Sequence, residues 1–134
     1  MAMADHTGGV LVVDDERPIR EMLVYFLKSR GVPARAAVDG VDALSMVRQG
    51  PPDVVLLDQQ MPRLDGVNTL RHIKELAPGV RVIMMTACAT AEGAQVASEL
   101  GAEDYISKPL DLLDLLHAVQ HPPAGIGAVP PGSS

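Results

Sequence analysis

Rings, thiols and surplus positive charge are all scarce in this chain. Aromatic residues make up 2% of its 134 positions and tryptophan is missing, which argues against a surface that binds nucleic acid by stacking bases on side-chain rings. A single cysteine, Cys88, rules out an internal disulfide and fits a reducing, cytoplasmic setting. With 11 Lys and Arg against 17 Asp and Glu, the net charge of −6 has the wrong sign for sequence-independent binding to phosphate backbones. No apolar run approaches the ~18 residues needed to cross a bilayer. The opening residues, Met1 to Gly8, lack a basic and apolar signal pattern and read as a flexible start. Neither nucleic acid nor membrane is therefore an expected partner.

What is present is aliphatic. Apolar residues are 47% of the chain, so one domain with a core of Val, Leu, Ile, Met and Ala is expected at this length. From Gly9 onward, apolar runs alternate with amphipathic segments, the pattern of βα units around a parallel sheet. Helices are expected over Arg17 to Arg30, Val41 to Gln49, Leu64 to Leu76, Ala91 to Leu100 and Leu110 to His121. The fourth is Ala-rich and weakly amphipathic, which predicts shallow, mobile packing. Val10 to Val13, Val54 to Leu57 and Val82 to Met85 are continuously apolar, as strands covered on both faces should be. Pro33 to Val38 and Ala102 to Ile106 carry proline or charge and suit sheet edges. Right-handed crossovers then favour the order 2-1-3-4-5. Residues 122–134, rich in Pro and Gly, read as a linker or tail outside a domain at 9–121.

That order collects chemistry at one rim. Asp14 and Asp15 end the first strand, Asp58 ends the third, Thr86 ends the fourth and Lys108 follows the fifth. Ligands of open α/β sheets gather at such carboxyl ends. Two like charges ~4 Å apart repel by about 4 kcal/mol at an effective dielectric near 20, so the acids must raise a pKa or recruit a cation. All the donors are oxygens, which favours Mg²⁺ over zinc or copper. Should Asp58 accept a phosphoryl group, Lys108 and the metal would neutralise its oxygens and Thr86 would donate to one of them.

These residues carry a resemblance. Asp14-Asp15, the stretch from Asp58 through Met61-Pro62-Arg63-Leu64-Asp65-Gly66, Thr86-Ala87 and Lys108-Pro109 stand in the order and spacing of the receiver domain of bacterial two-component response regulators. The chain resembles that family, in its chemotaxis-regulator-like form, from about Gly9 to His121. The resemblance implies a flavodoxin-like (βα)5 sandwich in which Asp58 takes phosphate from a sensor histidine kinase or phosphotransfer protein. It implies that Asp15, Asp58 and the backbone carbonyl of Gln60 bind Mg²⁺, with Asp14 acting through water, and that Lys108 contacts the phosphoryl group. Thr86 and Tyr105 would form the switch, the Lys108–Pro109 bond would be cis, and Gln60 and Cys88 would tune phosphate lifetime. The fourth helix, fifth strand and fifth helix would carry the output to a second copy or another partner. The chain would catalyse only its own phosphotransfer and autodephosphorylation.

Plainer readings stand beside these. Asp14 and Asp15 suit an N-cap of the first helix, and Asp65 a turn or cap. Tyr105 also suits an edge-strand core position. His6, His72, His117 and His121 fall away from the rim. Cys88 reads as a small buried or half-buried group without an activating His, and Met22, Met46, Met84 and Met85 read as packing. Leu112, Leu113, Leu115, Leu116 and Val119 exceed one core-facing stripe, which suggests a contact surface on the last helix. An aspartate-nucleophile phosphohydrolase is the main rival, although its Asp-x-Asp motif after the first strand is missing. An FMN binder shares the topology but needs a hydroxyl-rich loop there, and a receiver that works as a scaffold without phosphate is the remaining variant.

Overall fold

The computed structural model describes residues 8–61 and 64–122. Met1 to Thr7 of the expected flexible start, residues 123–134 of the expected tail, and Pro62-Arg63 lie outside the described residues. Gly8, expected in the leading segment, is buried and donates its N–H to the Pro51 carbonyl at 3.3 Å.

Five strands, β1 (Val10–Val13), β2 (Ala34–Ala37), β3 (Val54–Asp58), β4 (Arg81–Thr86) and β5 (Asp104–Ser107), alternate with helices α1 (Arg17–Ser29), α2 (Gly40–Gln49), α3 (Gly66–Leu76), α4 (Ala91–Glu99) and α5 (Leu112–Gln120). All strand pairs are parallel, in the order β2-β1-β3-β4-β5. The central strands β1 and β3 are wholly buried and β4 nearly so, whereas β2 and β5 alternate or lie half open. Two apolar layers result. Leu11, Val13, Val55, Leu57, Val82 and Met84 pack against α2, α3 and α4, while Val10, Val12, Leu56, Ile83 and Met85 pack against α1 and α5. This is the period of two expected when both faces of a strand are covered.

Helix ends show why the boundaries fall where they do. Asp39, Asp65, Thr90 and Asp111 each accept an N–H from the first turn of the helix they precede, at 2.8–3.0 Å, so α2, α3, α4 and α5 carry side-chain caps. Asp65 is thus a cap, and α3 begins at Gly66, two residues later than expected. The Asp111 cap likewise moves the start of α5 from Leu110 to Leu112. At the other end of α1, Gly31 at φ +80° turns the chain, and Val32 donates back to the Leu27 carbonyl at 2.9 Å. β5 starts at Asp104 rather than Ala102, because Glu103 is turned toward Arg81 and its N–H bonds the Val82 carbonyl.

Three side-chain expectations need correction. Cys88 is exposed rather than buried: β4 ends at Thr86, and residues 87–90 swing outward before the Thr90 cap. Met22 is 42% exposed on the outer side of α1, while Met84 and Met85 are fully covered. On α5, Leu115 and Val119 are buried, Leu112 and Leu116 are half covered against the core, and only Leu113 of that set is exposed. The intramolecular core explains most of the extra leucines. In α4 only Ala97 is buried, the shallow seating its composition suggests.

Candidate functional site

Strand register brings the rim together. Val13 pairs with Leu57, so the next residues, Asp14 and Asp58, emerge side by side at the point where the strand order reverses. Asp58 pairs with Met85, placing Thr86 one step beyond it, and Thr86 pairs with Ser107, placing Lys108 one step beyond that. Residues far apart in sequence therefore converge because parallel neighbours end in step.

Asp14 is completely buried. Its Oδ2 lies 2.9 Å from Lys108 Nζ, its Oδ1 accepts the Glu16 N–H at 2.9 Å, and its backbone carbonyl accepts from Arg20 at 2.8 Å. The N-cap of α1 is Glu16, which makes no side-chain cap bond, so neither Asp14 nor Asp15 occupies the cap position proposed for them. Asp14 faces the lysine instead. Asp15 is exposed at the mouth of the site, and Asp58 is 5% exposed. One carboxylate oxygen from each of these three acids lies within 4.8 Å of the other two.

Lys108 is the counter-charge. Its Nζ stands 3.5 Å from Asp58 Oδ2 and 3.8 Å from Glu16 Oε1 in addition to its short bond to Asp14. Burial works against the ammonium, but the hydrogen bond and charge of Asp14, then Asp58 and Glu16, outweigh it and raise its pKa. Asp58 moves the other way from a normal acid. Burial and the charge of Asp14 push its pKa up to about 6, against the Gln60 N–H bonded to Oδ1 at 3.2 Å and the charge of Lys108, with Asp15 adding to the rise. One ammonium does not balance three acids.

The donor set fits a small hard cation. Oxygens bound to one Mg²⁺ at about 2.1 Å are at most about 4.2 Å apart, close to the 4.8 Å within which the Asp14, Asp15 and Asp58 oxygens lie. Among the described residues, no His or Cys joins the cluster.

The remaining predicted residues take distinct places. Thr86 is fully buried; its Oγ1 accepts the Cys88 N–H at 3.1 Å and its carbonyl accepts the Lys108 N–H at 2.8 Å. The Lys108–Pro109 peptide is cis. Gln60 is exposed beside Asp58, and Cys88 is exposed on the loop from β4 to α4. Tyr105 is half-buried against the layer under α4, with its hydroxyl donating to Gln59 Oε1 at 2.9 Å. His72 pairs with Glu75 on α3, and His117 stacks on His121 at the far end of α5, so neither group enters the rim.

Some working contacts were not anticipated. Gly66 is one: a Cβ there would overlap the Asp58 carbonyl and the Gln59 backbone, so α3 can begin directly against the end of β3 only with glycine. Its place in the motif after Asp58 was the available signal. Gln59 and Glu16 gave none, being ordinary polar residues whose partners come from other elements. A hollow of about 660 Å³ lies at the opposite end of the sheet, lined by Pro33, Asp53, Arg81 and Val119 among others. Its walls are mainly apolar and its arginine is already paired, so the chemistry rests with the acids.

Fold and site together define an open, doubly wound α/β protein with a cation-ready acidic rim at its switch point, the strand order shared by flavodoxin and the chemotaxis regulator CheY. The chain belongs to the response regulator receiver domain family, whose pattern matches residues 10–120. The response regulator MprA of Mycobacterium sp. strain KMS is 37% identical over 107 residues, covering 80% of this chain and 46% of that protein. The chain thus spans about half the length of the mycobacterial relatives it matches. Chemotaxis protein CheY4 of Vibrio cholerae superposes with a TM-score of 0.80 at 28% identity, over 85% of this chain and 97% of CheY4. A response regulator protein from Burkholderia pseudomallei, solved with a phosphorylated aspartic acid, a calcium ion and citrate, gives 0.79 at 25% identity over 86% of this chain and 68% of its own.

Proposed function

We propose that this receiver domain is a phosphoacceptor switch in which Asp58 takes a phosphoryl group from a phosphohistidine of a sensor kinase or phosphotransfer protein. The observation that carries the reading is the buried Asp58 carboxylate beside Asp14, Asp15 and the Lys108 ammonium. A carboxylate oxygen of Asp58 attacks phosphorus, an O–P bond forms, the P–N bond of the donor breaks, and the imidazole leaves with the electron pair. Asp14, Asp15, Asp58 and the Gln60 carbonyl would hold Mg²⁺, which supplies charge neutralisation at the transferring oxygens. Lys108 already lies close enough to pair with a phosphoryl oxygen once Asp58 is modified. Thr86 Oγ1 accepts from Cys88, leaving its proton available for donation to a second oxygen.

Loss of the phosphoryl group by attack of water would reset the switch, with Gln60 and Cys88, both exposed at the mouth, setting how water reaches it. Output would leave through α4, β5 and α5, where Val96 and Leu113 are the exposed large apolar residues. Contact of that surface with a second copy or an output partner belongs to this reading, as does a cytoplasmic setting. No helix among the described residues is long and apolar enough to cross a membrane.

Incubation with acetyl phosphate and Mg²⁺, followed by intact mass, tests the acceptor. The protein should gain one phosphoryl group, Asp58→Asn should gain none, and chelation of Mg²⁺ should prevent the gain. An equal mass increase in Asp58→Asn would overturn the assignment.

A further inference from the structure

The Tyr105 side chain has a more specific environment than an edge-strand core position requires. Its hydroxyl donates to Gln59 Oε1, on the residue next to Asp58. The same hydroxyl lies over Gly93, in the first turn of α4, so closely that a Cβ on Gly93 would overlap it and press on the ring carbon that bears it. Gly93 needs no unusual backbone: it sits inside α4, where glycine weakens a helix relative to alanine. The missing Cβ is the space the tyrosine occupies.

Gln59 is equally constrained. Its N–H donates to the Met85 carbonyl at 2.8 Å, and its carbonyl accepts the Gly66 N–H at 2.9 Å. Its backbone is held between β4 and α3, so its side chain presents Oε1 to Tyr105 from a fixed position one residue from Asp58. A chain of contacts therefore runs from Asp58 through Gln59 to Tyr105 and Gly93.

Resting on the phosphoacceptor reading, we propose that Gln59 and Gly93 are positioning residues that seat Tyr105 inward before any phosphoryl group arrives, and that Gln59 couples the acceptor segment to β5 and α4. Two arrangements of Tyr105 are in balance, and the Gln59 bond and the Gly93 space both favour the inward one. Loss of the bond should shift the inward-to-outward ratio roughly fivefold, the size of one net hydrogen bond. Loss of the space should shift it further, because overlap excludes the inward position.

The chain has two tyrosines and no tryptophan, so Tyr25→Phe, at an exposed position of α1, leaves Tyr105 as the single tyrosine reporter. In that background, ring NMR signals of Tyr105 and their broadening by a soluble nitroxide measure its exposure with and without acetyl phosphate and Mg²⁺. The unphosphorylated parent should be protected. Gln59→Leu and Gly93→Ala should both expose the ring, the second more strongly, while Gln59→Glu, which keeps an acceptor oxygen, should retain protection. Equal protection in the parent, Gln59→Leu and Gly93→Ala would overturn the proposal, as would exposure in Gln59→Glu matching that in Gln59→Leu. Intact mass separates the two layers. A parent that takes no phosphoryl group refutes the acceptor reading; a phosphorylated parent whose Tyr105 ignores both substitutions refutes only the coupling.

Discussion

At the amino end of the sheet, Arg81 meets Glu103 through two bonds of 2.6 and 2.5 Å and also donates to the Val119 and Ala118 carbonyls at 2.9 and 2.7 Å. At the carboxyl end, Asp14, Asp15 and Asp58 gather together, and the Lys108 ammonium reaches Asp14 and Asp58. The first arrangement is closed: one cation faces one anion, and the spare guanidinium hydrogens satisfy carbonyls that the end of α5 would otherwise leave open. The second is open, because its acids outnumber its cation. A balanced pair fastens elements together and asks for nothing more, whereas an unbalanced cluster retains an affinity for protons, metal or a transferred group. Burial makes the distinction matter, since unpaired charge in a poorly solvated place is costly.

Charge deletion should therefore have opposite consequences at the two ends. The largest effect is expected at the rim: Asp58→Asn should abolish phosphorylation, and Lys108→Met should slow it by about 100-fold or more, as loss of one charge-stabilising donor commonly does, both read by intact mass over time. Arg81→Met should leave that rate within about twofold but cost about 3 kcal/mol of stability, because it strands Glu103, whose side chain is only 14% exposed. Urea unfolding midpoints measure this, and a slowed phosphotransfer in Arg81→Met would erase the contrast.

Acidity offers a second way to separate the ends. The pKa of Asp58 rises from 3.8 to about 6 on folding. Between these values the folded protein binds the extra proton, so this group's contribution to stability increases as pH falls through 6 and levels off below about 4. In Mg²⁺-free buffer Asp58→Asn should thus be more stable than the parent at pH 8, by roughly 3 kcal/mol at most, and the gap should close by pH 4. A gap that widens toward acid would contradict the sign. The smallest expected effect belongs to Asp65, an acid near the rim with a local duty: Asp65→Ala should cost about 1 kcal/mol through loss of the α3 cap and leave metal-dependent phosphorylation intact, by the same two measurements.

How much of this was readable beforehand divides along the same physical line. The runs Val10–Val13 and Val54–Leu57 announce buried strands because every side chain must be apolar when both faces are covered, and strand order followed from the mixed character of the edges. The acids at the rim were legible because register is a backbone property: once the order is known, strand ends align. Contacts that depend on where one side chain turns were not legible. Arg81 meets Glu103 across 22 positions, and Tyr105 meets Gln59 across 46, with no periodicity to mark either pair. Gly66 and Gly93 sit at or near helix starts where a glycine has ordinary uses, and their close neighbours come from other elements. Cys88 and Met22 were misplaced because composition favours burial, while the local path of the loop and the rotation of α1 decide it.

The bond between Asp14 and Lys108 links residues 94 positions apart, joining the first strand to the segment after the last. An amino-terminal fragment would carry every acid yet lack the ammonium, and a carboxyl-terminal fragment would carry the ammonium without the paired acids. On the phosphoacceptor reading, competence to receive a signal would therefore be a test of completeness: a clipped or half-synthesised domain would stay silent, since the Asp14–Lys108 pairing forms only after the two ends of the domain have met.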